Sequence, residues 1–171
     1  MSLPSAVAGS FNDAPTASFD AANAVAVAED PIDSEQIELV RTTWTYVAPM
    51  AEQAATLFYN RLFELEPAIK QMFAPSNLRV EKRILMQTLG AAVKHLHRLD
   101  RAVPTVRGLG RRHACYGVQE RHYDVVAEAL LWALEKGLGN RFTHEVRDAW
   151  TVTCTLLADT LKDTAAAQLD G

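Results

Sequence analysis

The stretch VRGLGRRHACYGVQERHYDVV, Val106 to Val126, carries a single histidine, His113, at the end of a short amphipathic run and just ahead of a glycine. Leu109 and His113 are four residues apart and Tyr116 three further on, so on a helix the three share one face. Gly117 closes that turn, and beyond it Tyr123, Val126, Ala127, Leu130 and Leu134 recur at helical spacing, which predicts a second helix. A neutral imidazole presented from an apolar face, with no second histidine beside it, suits one axial bond to a large flat cofactor. A zinc cage needs about four protein ligands, whereas a haem iron takes only one or two from the protein. The bland alternative also stands, since a lone histidine between arginines is often an ordinary surface or core residue.

The run LGRRHACYGVQERHYDVVAEALLWALEKGLG resembles the proximal half of a bacterial single-domain globin, related to the haem domain of flavohaemoglobins and to neuroglobin. His113-x-x-Tyr116-Gly117-Val118 followed by Tyr123 carries the likeness, which extends over roughly Ser34 to Lys162, a span of ordinary domain size. The resemblance implies an all-α globin fold of about seven helices around a haem pocket. It implies haem b (iron protoporphyrin IX) as cofactor and His113 as the proximal iron ligand. Leu109, Val118, Tyr123 and Val126 are then pocket residues on the proximal side.

The rest of the chain reads as helices too. Asp33-Ser34 marks a helix start with Glu35 near the positive end of its dipole, and Ile37, Val40, Trp44 and Val47 form an apolar stripe up to Pro49. A second helix carries Ala51, Ala54, Ala55, Phe58, Tyr59, Leu62 and Phe63, its small residues allowing another helix to cross closely. Pro67 starts a short turn ending at Met72-Phe73, and Ala74-Pro75-Ser76-Asn77 is a breaker. A long amphipathic helix to about His97 follows, with Leu85, Leu89, Ala92 and Leu96 on one face. Gly137 and Gly139 suit a helix end, and Thr143 caps a last helix with Val146, Trp150, Cys154 and Leu157 on its face. No strand pattern, internal repeat or sustained heptad occurs.

On the open side of the iron, the resemblance matches Phe58-Tyr59 to a phenylalanine and tyrosine pair, making Tyr59 the distal donor to bound oxygen. Phe73 matches the phenylalanine that wedges against the haem plane. Both also fit a plain core role. On the long helix, alignment through Leu89 to Ala92 puts Glu81 at the distal position with Leu85 one turn on, pointing at the haem; without a short deletion Arg83 takes the site. A carboxylate beside bound oxygen repels it unless protonated or turned away. Glu81 is therefore expected to swing to solvent near Arg79 and Lys82. The histidines His95, His97, His122 and His144 do not fall at the distal position, so the iron is expected to be five-coordinate. The proximal glutamate of flavohaemoglobins has no counterpart, Ala167 standing in its place.

Composition narrows the remaining classes. At 171 residues, 49% hydrophobic and net charge −4, the chain suits one globular domain and argues against a nucleic-acid binder. No apolar run reaches the roughly 18 residues of a membrane span. Cys115 and Cys154 lack metal spacing, and a reduced cytoplasmic setting is the simplest one. Residues 1–32 contain no Lys or Arg and read as a disordered tail, 33–165 as the globin domain, and 166–171 as a flexible terminus. The expected function is reversible binding of O2, NO and CO, in oxygen handling or nitric oxide detoxification. No flavin or nicotinamide domain fits in this length, so nitric oxide dioxygenase turnover is expected to need a separate reductase. A gas-sensing module and a haem-free interaction module, monomer or homodimer, are the alternatives.

Overall fold

The computed structural model of the protein describes residues 31–98 and 119–170, with side chains to residue 163. Six α-helices lie within these residues, and no strand does: α1 Ser34–Val47, α2 Ala51–Leu65, α3 Pro67–Lys70, α4 Leu78–Lys94, α5 Glu120–Leu138 and α6 His144–Asp170. None of them is long and apolar enough to cross a membrane.

Local chemistry sets the ends of these helices. Asp33 caps α1: its side chain accepts the Gln36 backbone N–H at 2.8 Å while the Gln36 side chain accepts the Asp33 N–H at 3.2 Å. Two donors of the first turn are thus satisfied reciprocally. Pro49 does not separate α1 from α2 by a loop; it sits in a single 3-10 turn, Ala48–Met50, that turns one helix directly into the next. The short run after Pro67 is helical only to Lys70, and α4 ends at Lys94 rather than near His97. Arg41 of α1 donates to the Lys94 carbonyl at 3.4 Å, placing a cation at the negative end of α4. Gly139 follows α5 with φ +58°, a backbone region that strains any residue with a Cβ. The Thr143 hydroxyl accepts the Val146 N–H at 3.2 Å and so caps α6.

The helices bury one continuous core. α2 packs chiefly on α5 and also on α4, while α1 packs on α6. Val40, Ala129, Ala149 and Trp150 are wholly buried. The Trp150 indole N–H would be costly in such a place, and it donates to the Thr43 hydroxyl at 2.9 Å. Thr43 in turn donates to the Leu39 carbonyl at 2.8 Å. Where α2 meets α5 through Ala54, Ala133 and Gly137, the residual void is only about 10 Å³. That is at the lower bound of what one water needs, so this seam is effectively solid.

Candidate functional site

On the opposite side of Phe58, Leu85, Leu89 and Leu130 the same helices do not close. They leave a cavity of about 110 Å³, whose lining includes Tyr59, Phe73, Glu81, Leu85, Tyr123 and Val126. Every predicted pocket residue within the described part of the chain therefore meets at one cavity. His113, Leu109 and Val118 lie outside the described residues, as do Tyr116, Gly117 and Cys115. The side chain of Ala167 lies outside them too.

Helix phase explains the convergence. α2 presents Phe58, Tyr59 and Leu62 inward, with Tyr59 only 6% exposed. The Tyr59 ring sits edge-on to Phe58 at 4.9 Å and to Phe73 at 5.9 Å, with Phe63 tilted against it at 5.9 Å. Offset and edge-on aromatic contacts of this kind fix a ring plane while leaving its polar tip to be placed independently. The Tyr59 hydroxyl donates to the Glu81 backbone carbonyl at 3.4 Å, long for an O–H donor and correspondingly weak. The phenol proton is thus aimed toward the backbone of α4.

Glu81 overturns the expectation that its carboxylate turns out to solvent. It is 4% exposed and lines the cavity. Its position follows from the stripe it belongs to: Glu81, Leu85, Thr88 and Ala92 recur at three- and four-residue steps, so a helix that buries Thr88 and Ala92 and half-buries Leu85 turns Glu81 inward as well. The neighbouring cations part from it. Arg79, Lys82 and Arg83 line a separate open groove with Trp44 and Met86, and Lys82 donates to Thr56 of α2 at 3.2 Å. Of the two residues considered for the distal position, Glu81 therefore faces the cavity and Arg83 does not.

The α5 wall supplies Tyr123, Val126 and a residue absent from the predicted set, His122. Burial raises the Tyr123 phenol above its ordinary value, so it stays a hydrogen-bond donor through neutral pH. Lys162 of α6 lies over its ring, 5.4 Å from the centroid. His122 is the third helical residue of α5, 2% exposed, and its Nδ1 accepts the Gln119 backbone N–H at 2.9 Å in a capping box. The signal for it was in the spacing, since His122 precedes Val126 and Leu130 by four and eight residues on one face. The start of α5 is also tied to the α2–α3 junction, where Arg121 pairs with Glu66 at 2.8 Å.

A sequence model described as Globin matches residues 56–161, more than half of the chain. The chain belongs to the globin family. This globin is 26% identical over 130 residues to the flavohemoprotein of Bacillus subtilis, an alignment covering 75% of this chain and 33% of that one. It is 28% identical over 142 residues to neuroglobin-1 of Oncorhynchus mykiss, covering 75% of this chain and 89% of that protein. The globin thus spans about a third of the flavohemoprotein's length. Among solved structures, a bacterial globin from Campylobacter jejuni superposes with a TM-score of 0.76 at 23% identity, covering 81% of this chain and 100% of that one. An engineered carbene transferase derived from a putative nitric oxide dioxygenase of Rhodothermus marinus gives a TM-score of 0.75 at 24% identity, covering 81% of this chain and 96% of the other. Both likenesses bear on the fold, and both agree with the all-helical architecture.

Proposed function

We propose that this globin would hold haem b through His113 and take up O2, NO and CO reversibly, with Tyr59 as the donor to bound oxygen. The observation that carries the reading is the meeting of Tyr59 from α2, Phe73 after α3, Glu81 and Leu85 from α4, and Tyr123 and Val126 from α5 at one mostly apolar cavity. Left empty, 110 Å³ costs about 2.5 kcal/mol at roughly 24 cal/mol per Å³, so a protein that keeps such a space open has a use for it. The volume admits a diatomic gas but not a whole porphyrin. His113 itself lies outside the described residues.

The residues fit the group. Apolar and aromatic walls suit the faces of a macrocycle, and the polar side chains are few: Tyr59, Thr88, His122 and Tyr123 can donate, and Glu81 is the single carboxylate. When bound, haem supplies the iron that takes up the gas. The chain's own part is to hold the Tyr59 proton where negative charge develops on bound oxygen, and to keep bulk water out with Leu85 and Phe73. Nitric oxide dioxygenation belongs to the same proposal only where a reductase supplies electrons, since converting oxygen and nitric oxide to nitrate repeatedly would need the iron returned to its ferrous form between turnovers.

Absorption spectra of the ferric, ferrous and CO forms test the reading. A Soret band that His113→Ala abolishes is expected, and colourless protein after expression with ample haem refutes it, leaving a haem-free interaction module. Nitric oxide consumption under air, followed over many turnovers with and without a flavin reductase, separates a catalyst from a carrier or a gas sensor.

A further inference from the structure

His122 holds a proton for which the described residues provide no acceptor. Its Nδ1 accepts the Gln119 N–H at 2.9 Å, so that nitrogen carries no hydrogen and the proton of the neutral ring sits on Nε2. Nε2 is fully buried and has no hydrogen-bond partner among the described residues. His122 also lines the cavity. A buried donor left unpaired is costly, and in native proteins nearly all such groups find an acceptor. The same tautomer excludes His122 as an iron ligand, because the nitrogen facing the cavity is already protonated. Moving that proton to Nδ1 would break the cap of α5.

The chemistry of the proposed occupant leaves few acceptors. In an iron porphyrin the ring nitrogens are committed to the metal and the methyl and vinyl groups accept nothing. Peripheral oxygen is found only on the two propionate carboxylates. The first turn of α5 favours an anion, His122 being the third residue of a 19-residue helix, while the cavity's own carboxylate, Glu81, stands on α4. We infer that His122 Nε2–H donates to a propionate carboxylate of the bound porphyrin, drawing that carboxylate to the first turn of α5 and fixing the rotation of the macrocycle in the pocket. This assignment rests on the haem reading above.

The test compares haem with haem dimethyl ester, in which both carboxylates are neutral, binding each to the full chain and reading the quenching of tryptophan fluorescence and the Soret band. Three proteins are needed. His122→Glu keeps an acceptor for the Gln119 N–H and so the cap, but removes the donor; His122→Gln keeps both. Circular dichroism establishes that each is helical. A charge-assisted bond is worth roughly ten- to a hundred-fold in affinity, so the preference for haem over its ester should fall by about tenfold or more in His122→Glu and return in His122→Gln. The propionate bending band in the resonance Raman spectrum should shift in His122→Glu and not in His122→Gln. A preference in His122→Glu within about threefold of the unaltered protein overturns the assignment while leaving haem binding intact. If the unaltered protein binds neither porphyrin, the haem reading falls, and this assignment with it.

Discussion

Tyr59→Phe removes one oxygen atom and leaves the ring that packs on Phe58, Phe63 and Phe73. Two consequences can be separated because the proposed function gives the hydroxyl a different acceptor once gas is bound. Without gas, its acceptor is the Glu81 carbonyl at 3.4 Å, a distance at which a hydrogen bond contributes little. The share of fold stability carried by that bond should therefore be at the low end of the usual range for a hydrogen bond, about 0.5 kcal/mol. With oxygen bound, the acceptor carries partial negative charge, and a donor to it contributes about 1.5–2 kcal/mol, or roughly 10- to 30-fold in the rate of oxygen release. Flash photolysis and stopped-flow displacement by CO give that rate directly, and the decay of the oxy spectrum gives autoxidation. CO is far less polar when bound, so its release should change by no more than about threefold. Thermal denaturation of the same sample reports the fold. Oxygen release and autoxidation unchanged from the unaltered protein, or an equal effect on CO, would remove Tyr59 from the distal role.

Other perturbations bear on the frame around the cavity. Thr43→Val strips the Trp150 indole of its acceptor inside a wholly buried site and should cost about 1–3 kcal/mol, whereas Trp150→Phe leaves Thr43 still bonded to the Leu39 carbonyl and loses mainly packing; urea titrations of Thr43→Val, Trp150→Phe and the double variant should show the double variant less destabilised than the sum. Gly139→Ala places a Cβ at φ +58° and should cost about 1–3 kcal/mol by thermal unfolding even though no heavy atom lies within 4 Å of that Cβ, so an unchanged melting temperature would contradict the backbone argument. Burial pushes the Cys154 thiol from 9.0 up to about 12. Because the folded value lies above the unfolded one, this group's contribution is complete below pH 9 and is lost as pH rises from 9 toward 12, by up to about 1.4 kcal/mol per pH unit. In a Cys115→Ser background, Cys154 should therefore resist iodoacetamide at pH 8 until the protein is denatured, and rapid labelling of the folded protein would refute its burial.

Much of the architecture was legible because local rules and the apolar period agreed. Asp33 and Thr143 cap their helices, Gly139 follows one, and the stripes through Val40, Leu89, Leu130 and Trp150 all face the core. Two residues at the cavity were read wrongly or passed over, and for one reason. Charge alone sends Glu81 to solvent, and weighing His122 only against the distal position passes over it, although each stands in phase with the buried stripe of its own helix. Helix geometry places a Cβ before side-chain chemistry has a say, so phase outranks hydropathy at such positions. The 3-10 link at Pro49 was harder to read: a proline is equally at home breaking a helix or entering the first turn of the next, and only the packing of α1 and α2 chooses. Which of Glu81 and Arg83 meets the cavity was likewise a question of one residue's register, beyond what a single sequence can fix.

The unequal filling on the two sides of Phe58 and Leu89 gives the molecule an uneven mechanical response. Where Ala54 meets Ala133 there is nothing left to compress, whereas across those side chains a space of about 110 Å³ lies open. Hydrostatic force acts on such empty volume, so the Tyr59 side should yield first, and a guest seated there would brace it. Squeezing and guest uptake thus become opposing loads on one hinge line, with the solid half serving as the anvil.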